Sequence, residues 1–342
     1  MISRLTTTVF SVLIIVFAGM NQAWAGEVNL YSARKEALIK PLLDEFTRKT
    51  GIEVNLVTGN ADALLARLRS EGKLTPADLF ITVDAGRLYR ARSADLFQPV
   101  KSQTLQTAIP ARFRDPAGLW FGLSVRARPI MYVKGKVDPA SLRRYEDLAD
   151  SKWKGRICIR SSGSIYNQSL VASMIAADGE TETEQWAQGL VSNFSKSPSG
   201  GDRDQIRAAA AGQCDIAIAN TYYLAGMLND HKDDAQRTAA EKIGIIWPNQ
   251  DDRGVHVNVS GAGVIKYAKN KENAIELLQY LVSDESQQWY AQSNHEYPVK
   301  PGVGISSALK VFGEFKADSV NLAVLGENNA AAVRLMDRVG WR

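Results

Sequence analysis

Four of the eleven tyrosines fall where the hydropathy pattern turns from strand to helix. Tyr31 ends the short run Val28-Asn29-Leu30-Tyr31, and Tyr166 lies in Ser161-Ser162-Gly163-Ser164-Ile165-Tyr166-Asn167-Gln168-Ser169, between a strand and a helix. Tyr222 and Tyr223 follow the apolar run Cys214-Asp215-Ile216-Ala217-Ile218-Ala219, again at a strand-to-helix turn. In α/β architectures such turns open on the ligand cleft. A phenol has a pKa of about 10, and its ionised form is a hard, anionic oxygen donor. Tyrosines gathered at one point are therefore a candidate site for a hard cation. Taken singly, each is equally an interfacial residue with an apolar ring and a half-buried hydroxyl. Tyr89, Tyr132, Tyr145, Tyr267, Tyr280, Tyr290 and Tyr297 read as structural.

Other chemistry is poorly supplied. No phosphate-binding loop, strand-turn-helix dinucleotide fingerprint or Gly-x-Ser-x-Gly elbow is present. His231, His256 and His295 are scattered, without a paired-histidine zinc spacing, and read as surface or strand residues. Cys158 and Cys214 are the only cysteines. In an oxidising compartment an even pair suggests one disulfide, and a loop of that size stabilises by about 4 kcal/mol. Two separate buried thiols are the alternative. A metal site is poorly supported, since neither cysteine has a second Cys or His close by.

The elements that position these residues alternate. Val28–Tyr31 reads as a strand, and Leu38, Leu42, Leu43 and Phe46 recur at helical spacing before Gly51. Residues 52–57 alternate as a strand, Leu64, Leu65 and Leu68 share a helical face, and 78–83 is an apolar strand. That β-α-β-α-β order implies a parallel sheet flanked by helices. Strands at 156–160, 214–219, 243–247 and 256–259, with helices at 167–177, 182–194, 204–211, 271–283 and 285–293, repeat the theme. No Pro/Gly/Ser-rich joint separates two α/β halves, so strands themselves are expected to cross between lobes. The fold class is α/β, with two lobes and a ligand cleft between them.

Residues 1–25 carry Arg4, an apolar run from Val9 to Met20 and the small-x-small site Ala23-Trp24-Ala25. These features describe a cleaved secretory signal, and the apolar run is short for a membrane span. The expected mature chain starts at Gly26 and lies in the periplasm. Its formal charge is one unit below the +4 of the whole chain, and long basic runs are absent, which argues against nucleic acid. A monomer is expected.

The segments YSARKEALIKPLLDEF, SSGSIYNQSLVASMIA, GDRDQIRAAAAGQCDIAIANTYY and NHEYPV resemble those of bacterial periplasmic ferric-iron-binding proteins, the substrate-binding components of iron ABC importers. The resemblance runs over almost the whole mature chain. It implies a type II periplasmic binding protein fold, related to a transferrin lobe, with Fe(III) between the lobes and an inner-membrane ABC permease as partner. By position it implies Tyr31, Tyr166, Tyr222 and Tyr223 as iron ligands. Four phenolates exceed the charge of Fe(III), and the resemblance places Arg126 at the cleft as a pairing cation. A synergistic anion such as carbonate, or water, would complete the shell, and Ser161, Ser162 and Ser164 beside a helix start would suit a small anion. On this mapping the lobes comprise 26–126 plus about 251–301 and 127–250 plus about 302–342, with Cys158 and Cys214 both in the second lobe. The chain departs from the family in two places: Arg34 and Lys35 follow Tyr31 where some members have a histidine, and Asn60 stands where some have a glutamate. The rival cargoes are ferrous iron, a small anion and a polyamine. A further rival is an enzyme on the same fold, which would need a free, cofactor-linked cysteine.

Overall fold

The computed structural model describes residues 26–342, and the expected export signal at 1–25 lies outside the described residues. Strand β1 (Glu27–Ser32) leads through the helix Lys40–Thr50 to β2 (Glu53–Thr58). That helix carries Pro41 in its first turn, buries Leu42, Leu43 and Phe46, and stops at Gly51, whose φ of 74° suits a residue without a Cβ. The helix Ala61–Glu71 follows, then β3 (Leu79–Val83) and the helix Ala85–Ser93. Strand β1 pairs in parallel with both β2 and β3, as the β-α-β-α-β order requires.

The chain then crosses over. Strand β4 (Phe121–Ala127) leads within three residues to β5 (Ile130–Val133). Strands β6 (Ile157–Cys158), β7 (Ile216–Ile218) and β8 (Ile243–Ile246) join β5 in a second sheet of order β6-β7-β5-β8. Strand β9 (Val257–Val264) returns to the first sheet, and β10 (Tyr297–Pro298) closes its edge, giving β10-β4-β9-β3-β1-β2. The expectation of parallel pairing therefore holds for β1 to β3 and for β6 with β7, and the other pairs are antiparallel. Strand β4 runs out of the first lobe and β9 runs back, so they pair antiparallel, with Ala127 opposite Val257. Two extended segments side by side form the joint, which is why no linker is visible in the sequence.

The remaining chain binds the lobes at their flank. The helix Ala323–Glu327 packs against both Ala85–Ser93 and the long helix Ile165–Asp178. Gly326 meets Tyr89 so closely that an added Cβ would lie 2.1 Å from the tyrosine Cβ. Trp341 is fully buried against Trp186 and Phe194. Cys158 and Cys214 are bonded, with Cα atoms 5.9 Å apart, and join β6 to the residues just ahead of β7. Among the described residues, no helix is long and apolar enough to cross a membrane.

Candidate metal centre

Two helix starts bring the second-lobe tyrosines together. Tyr166 is the second residue of Ile165–Asp178, and Tyr222 and Tyr223 occupy the first turn of the helix Thr221–Leu228. The hydroxyls of Tyr222 and Tyr166 are 3.2 Å apart, long for an O–H···O bond but close enough for one ion to touch both. The rings of Tyr222 and Tyr223 lie 4.2 Å apart, tilted by 37°. All three side chains are half-buried and line a single cavity of about 570 Å³. Among the described residues, no three His, Cys, Asp or Glu side chains cluster as a rival metal site.

A buried polar layer fixes these tyrosines from behind. Asp202 accepts from Arg128 at 2.8 Å and from Arg160 at 2.7 Å. Arg128 also donates to Asn167 at 2.6 Å and to Asn220 at 3.0 Å, tying the two helix starts to each other. Both guanidiniums stand near the Tyr166 ring, at 5.9 and 5.6 Å. Paired buried charges of this kind are retained where geometry matters, since removing one partner strands the other.

Tyr31 is elsewhere. Its hydroxyl donates to the Glu71 carboxylate at 2.9 Å, Arg67 lies 4.7 Å over its ring, and it does not line the cavity. The reason is strand geometry. Strand β1 continues to Ser32, and Tyr31 pairs with Val57 and Phe80 inside the sheet. The residues that emerge past the strand end are Ala33, Arg34 and Lys35, and these reach the cavity. The expectation of a first-strand tyrosine in the cleft is thus not met.

Arg126 lines the cavity, 5.7 Å over the Tyr222 ring and 1% exposed. It donates to Val259 O at 3.1 Å and to Glu296 at 3.3 Å. Glu296 also holds Arg34 at 3.0 Å and accepts from Ser124. Burial alone would raise the Glu296 carboxyl, but Arg34 and Arg126 hold it below the usual range. Burial pushes the Tyr222 phenol well above its ordinary value, and Tyr166 and Tyr223 add to the shift. Tyr223 moves the same way for the same reasons, burial first and Tyr166 next.

Arg203, Glu296 and His295 also line the cavity, although none stood out in the sequence. His295 has φ of 52° and a buried Nδ1 without a partner. Gly226, one turn beyond the tyrosine pair, makes room: a Cβ there would lie 3.3 Å from Arg203 Nη2 and 3.7 Å from His295 Cδ2. The sequence signals for this wall were the NHEYPV segment, which carries His295 and Glu296, and the GDRDQIR segment, which carries Arg203.

A two-lobed α/β fold with a cavity at the strand-to-helix turns is the architecture of a solute-binding protein. The chain belongs to the family described as bacterial extracellular solute-binding protein, which it matches over residues 75–311. It is 51% identical to iron uptake protein A1 of Synechocystis over 92% of this chain and 88% of that protein. Among solved structures it is similar to a Trichodesmium FutA described as complexed with iron and citrate, with 54% identity, a TM-score of 0.90, and 93% of this chain and 100% of that one covered. The ferric binding protein of Campylobacter jejuni aligns with 40% identity and a TM-score of 0.87, over 92% of this chain and 100% of that one.

Proposed function

We propose that this chain is exported to the periplasm, captures Fe(III) through Tyr166, Tyr222 and Tyr223, and delivers it as a monomer to an ABC permease. The observation that carries this reading is the convergence of three phenol oxygens on one cavity. Fe(III) is a hard Lewis acid, and phenolate is among the few side-chain donors that match it. The two phenols pushed upward by burial stay protonated while the cavity lacks metal. A trivalent ion at bonding distance displaces those protons, so binding weakens as pH falls. Arg126 faces Tyr222 and offsets phenolate charge. Tyr31 stands outside this ligand set.

Three phenolates leave coordination positions open, and an anion from solution fills them, carbonate being the smallest that would serve. The cavity wall bears Arg34, Lys35, Arg126 and Arg203 against Asp230 and Glu296, which favours an anion and disfavours a polyamine. The names of the relatives, which refer to iron uptake and ferric binding, support the cargo. Export rests on the leader at 1–25, and delivery to a permease on the family. The test is a visible spectrum of the mature protein loaded with ferric iron. Phenolate-to-iron charge transfer should give an orange-red band that is absent with ferrous iron under anaerobic conditions. A colourless protein that retains no iron would refute the reading.

A further inference from the structure

The metal centre and its supporting layer leave one buried carboxylate unused. Asp84 directly follows Val83, which lines the cavity, and is itself fully buried. Its φ of 80° is one that a residue with a Cβ rarely adopts. Its hydrogen-bond donors among the described residues are all neutral: Gly86 N at 2.9 Å, Ser169 Oγ at 2.6 Å and Asn258 Nδ2 at 2.9 Å. The bond from Gly86 caps the helix Ala85–Ser93, and a cap needs no more than that. A buried charge without a cation bonded to it is costly, and a strained backbone persists only where its surroundings over-determine it.

The two further bonds show what Asp84 is held between. Ser169 stands on the second-lobe helix Ile165–Asp178, one turn beyond Tyr166. At 2.6 Å its bond has the length of a hydroxyl donating to an ionised carboxylate. Asn258 stands on the crossing strand β9, opposite Arg126 of β4. Its Oδ1 accepts from Ala85 N and Val259 N, both at 2.8 Å, which turns its Nδ2 toward Asp84. Asp84 N and Arg126 Nη1 also donate to the same carbonyl, Val259 O, at 2.8 and 3.1 Å. A continuous path therefore runs from Arg126 through Val259 and Asp84 to Ser169 and the helix of Tyr166. The helices beside it pack tightly: a Cβ on Gly86 would lie 3.3 Å from Ile165 Cδ1.

We infer that Asp84 is a positioning residue for iron capture, its carboxylate fixing the Tyr166 helix of the second lobe against the strands that carry Arg126. This rests on the tyrosine reading above. The second lobe ties the helix starts of Tyr166 and Tyr222 to each other without help, through Arg128, Asn167 and Asn220. What Asp84 adds is the placing of those phenols relative to the cation that offsets their charge. Without the link Arg126 is less well placed as phenolates form, and iron is held more weakly although every ligand remains.

The test is spectrophotometric titration of ferric iron against a competing chelator in bicarbonate buffer, for the wild type, Ser169→Ala, Asp84→Asn and the double variant, beside a melting curve for each metal-free protein. Ser169→Ala removes the link to the helix. In Asp84→Asn the amide must turn its NH2 on either Asn258 Nδ2 or Gly86 N, both of them donors. Each single variant should keep the charge-transfer band and lose at least about tenfold in iron affinity, the lower end of what outer-shell changes at metal sites cost. The double variant should bind no worse than the weaker single one, because both changes cut the same path. Asp78→Asn is the control. Asp78 is as deeply buried, accepts from Asn29 N at 2.9 Å and Asn270 N at 2.8 Å, and does not line the cavity, so its loss should lower the melting temperature and leave iron affinity unchanged. Single variants that melt lower but hold iron as tightly as the wild type would make Asp84 purely structural and overturn the inference, with the tyrosine reading standing. So would losses that add in the double variant, or an equal loss in Asp78→Asn. Should Asp84→Asn fail to fold, Ser169→Ala decides alone, since it deletes a single buried oxygen. A wild type that binds no iron would overturn both readings.

Discussion

Removing the hydroxyl of Tyr31 separates a three-tyrosine site from a four-tyrosine one. The Tyr31→Phe change deletes one hydrogen bond, the 2.9 Å contact to Glu71. The Glu71 carboxylate keeps Arg67 at 2.6 Å and Thr75 at 2.7 Å, so no buried charge is stranded. The ring stays, and with it the contact beneath Arg67. The cost should therefore be that of one bond to a charged acceptor at the lower end of its range, about 1–2 kcal/mol, or a melting temperature a few degrees lower. The charge-transfer band and iron affinity should be unchanged. Tyr223→Phe should do the opposite. Stability should change little, because the side chain is only half-buried, whereas iron affinity should fall at least about 100-fold, since even outer-shell changes at metal sites cost 10–100-fold. The assays are thermal melting of the metal-free proteins and spectrophotometric titration with a competing chelator. If Tyr31→Phe bleached the band as strongly as Tyr223→Phe, the exclusion of Tyr31 would be refuted.

Three further outcomes follow from the packing. Reduction of the Cys158–Cys214 bond should destabilise the metal-free protein by about 2–5 kcal/mol in a melt with and without reductant, and leave iron stoichiometry unchanged, because neither cysteine lines the cavity. His256 is buried and pushed down to about 3 by that burial, helped by Arg128 and Arg253. The unfolded chain takes up its proton below about pH 6.5 while the folded chain does not, so stability present above 6.5 is lost as pH falls. Urea midpoints should show about 2 kcal/mol lost to this group between pH 7.5 and 5, and His256→Gln should lack that share of the slope. Gly326→Val would drive a side chain into Tyr89, where even a Cβ stands at 2.1 Å, and should cost at least about 1–3 kcal/mol in the same assay.

The tyrosines of the second lobe were legible because their signal is local. An apolar strand followed at once by Asn220-Thr221-Tyr222-Tyr223 can only place those rings at the strand end, where the helix begins. Tyr31 carries the same local mark and fails it. Whether a residue is the last in its strand, and which sheet face it takes, depends on partners β2 and β3, and these lie beyond any local window. The helix Lys40–Thr50 was legible from its period and from Gly51. Strands β4 and β5 were not, because β4, buried on both faces, shows no alternation, and β5 is only four residues long. Apart from Arg126, which the resemblance placed at the cleft, the cationic wall was hidden for a different reason. Arg34, Arg126, Arg203 and Glu296 come from four distant segments, and only the crossing of β4 and β9 between the lobes brings them to one cavity.

The proton balance of the site bears on how the lobes close. A trivalent ion that takes three phenols as phenolates releases three protons as it arrives, and the cavity has the same net charge before and after. The first-lobe wall therefore cannot sense the metal by charge alone. A ligand shifts a conformational equilibrium only by as much as it prefers one state over the other. An ion held solely by Tyr166, Tyr222 and Tyr223 touches one lobe and has no reason to prefer the closed form. An anion that bridges the iron to the first-lobe wall of the cavity would touch both, and its contacts would be lost on opening. Loading with ferric iron in buffer freed of carboxylates and carbonate should therefore leave the radius of gyration in small-angle scattering equal to that of the metal-free protein. Adding citrate should then contract it. A full contraction on iron alone would show that the first lobe holds the metal through a donor of its own, and the division of labour between tyrosines and cations would have to be abandoned.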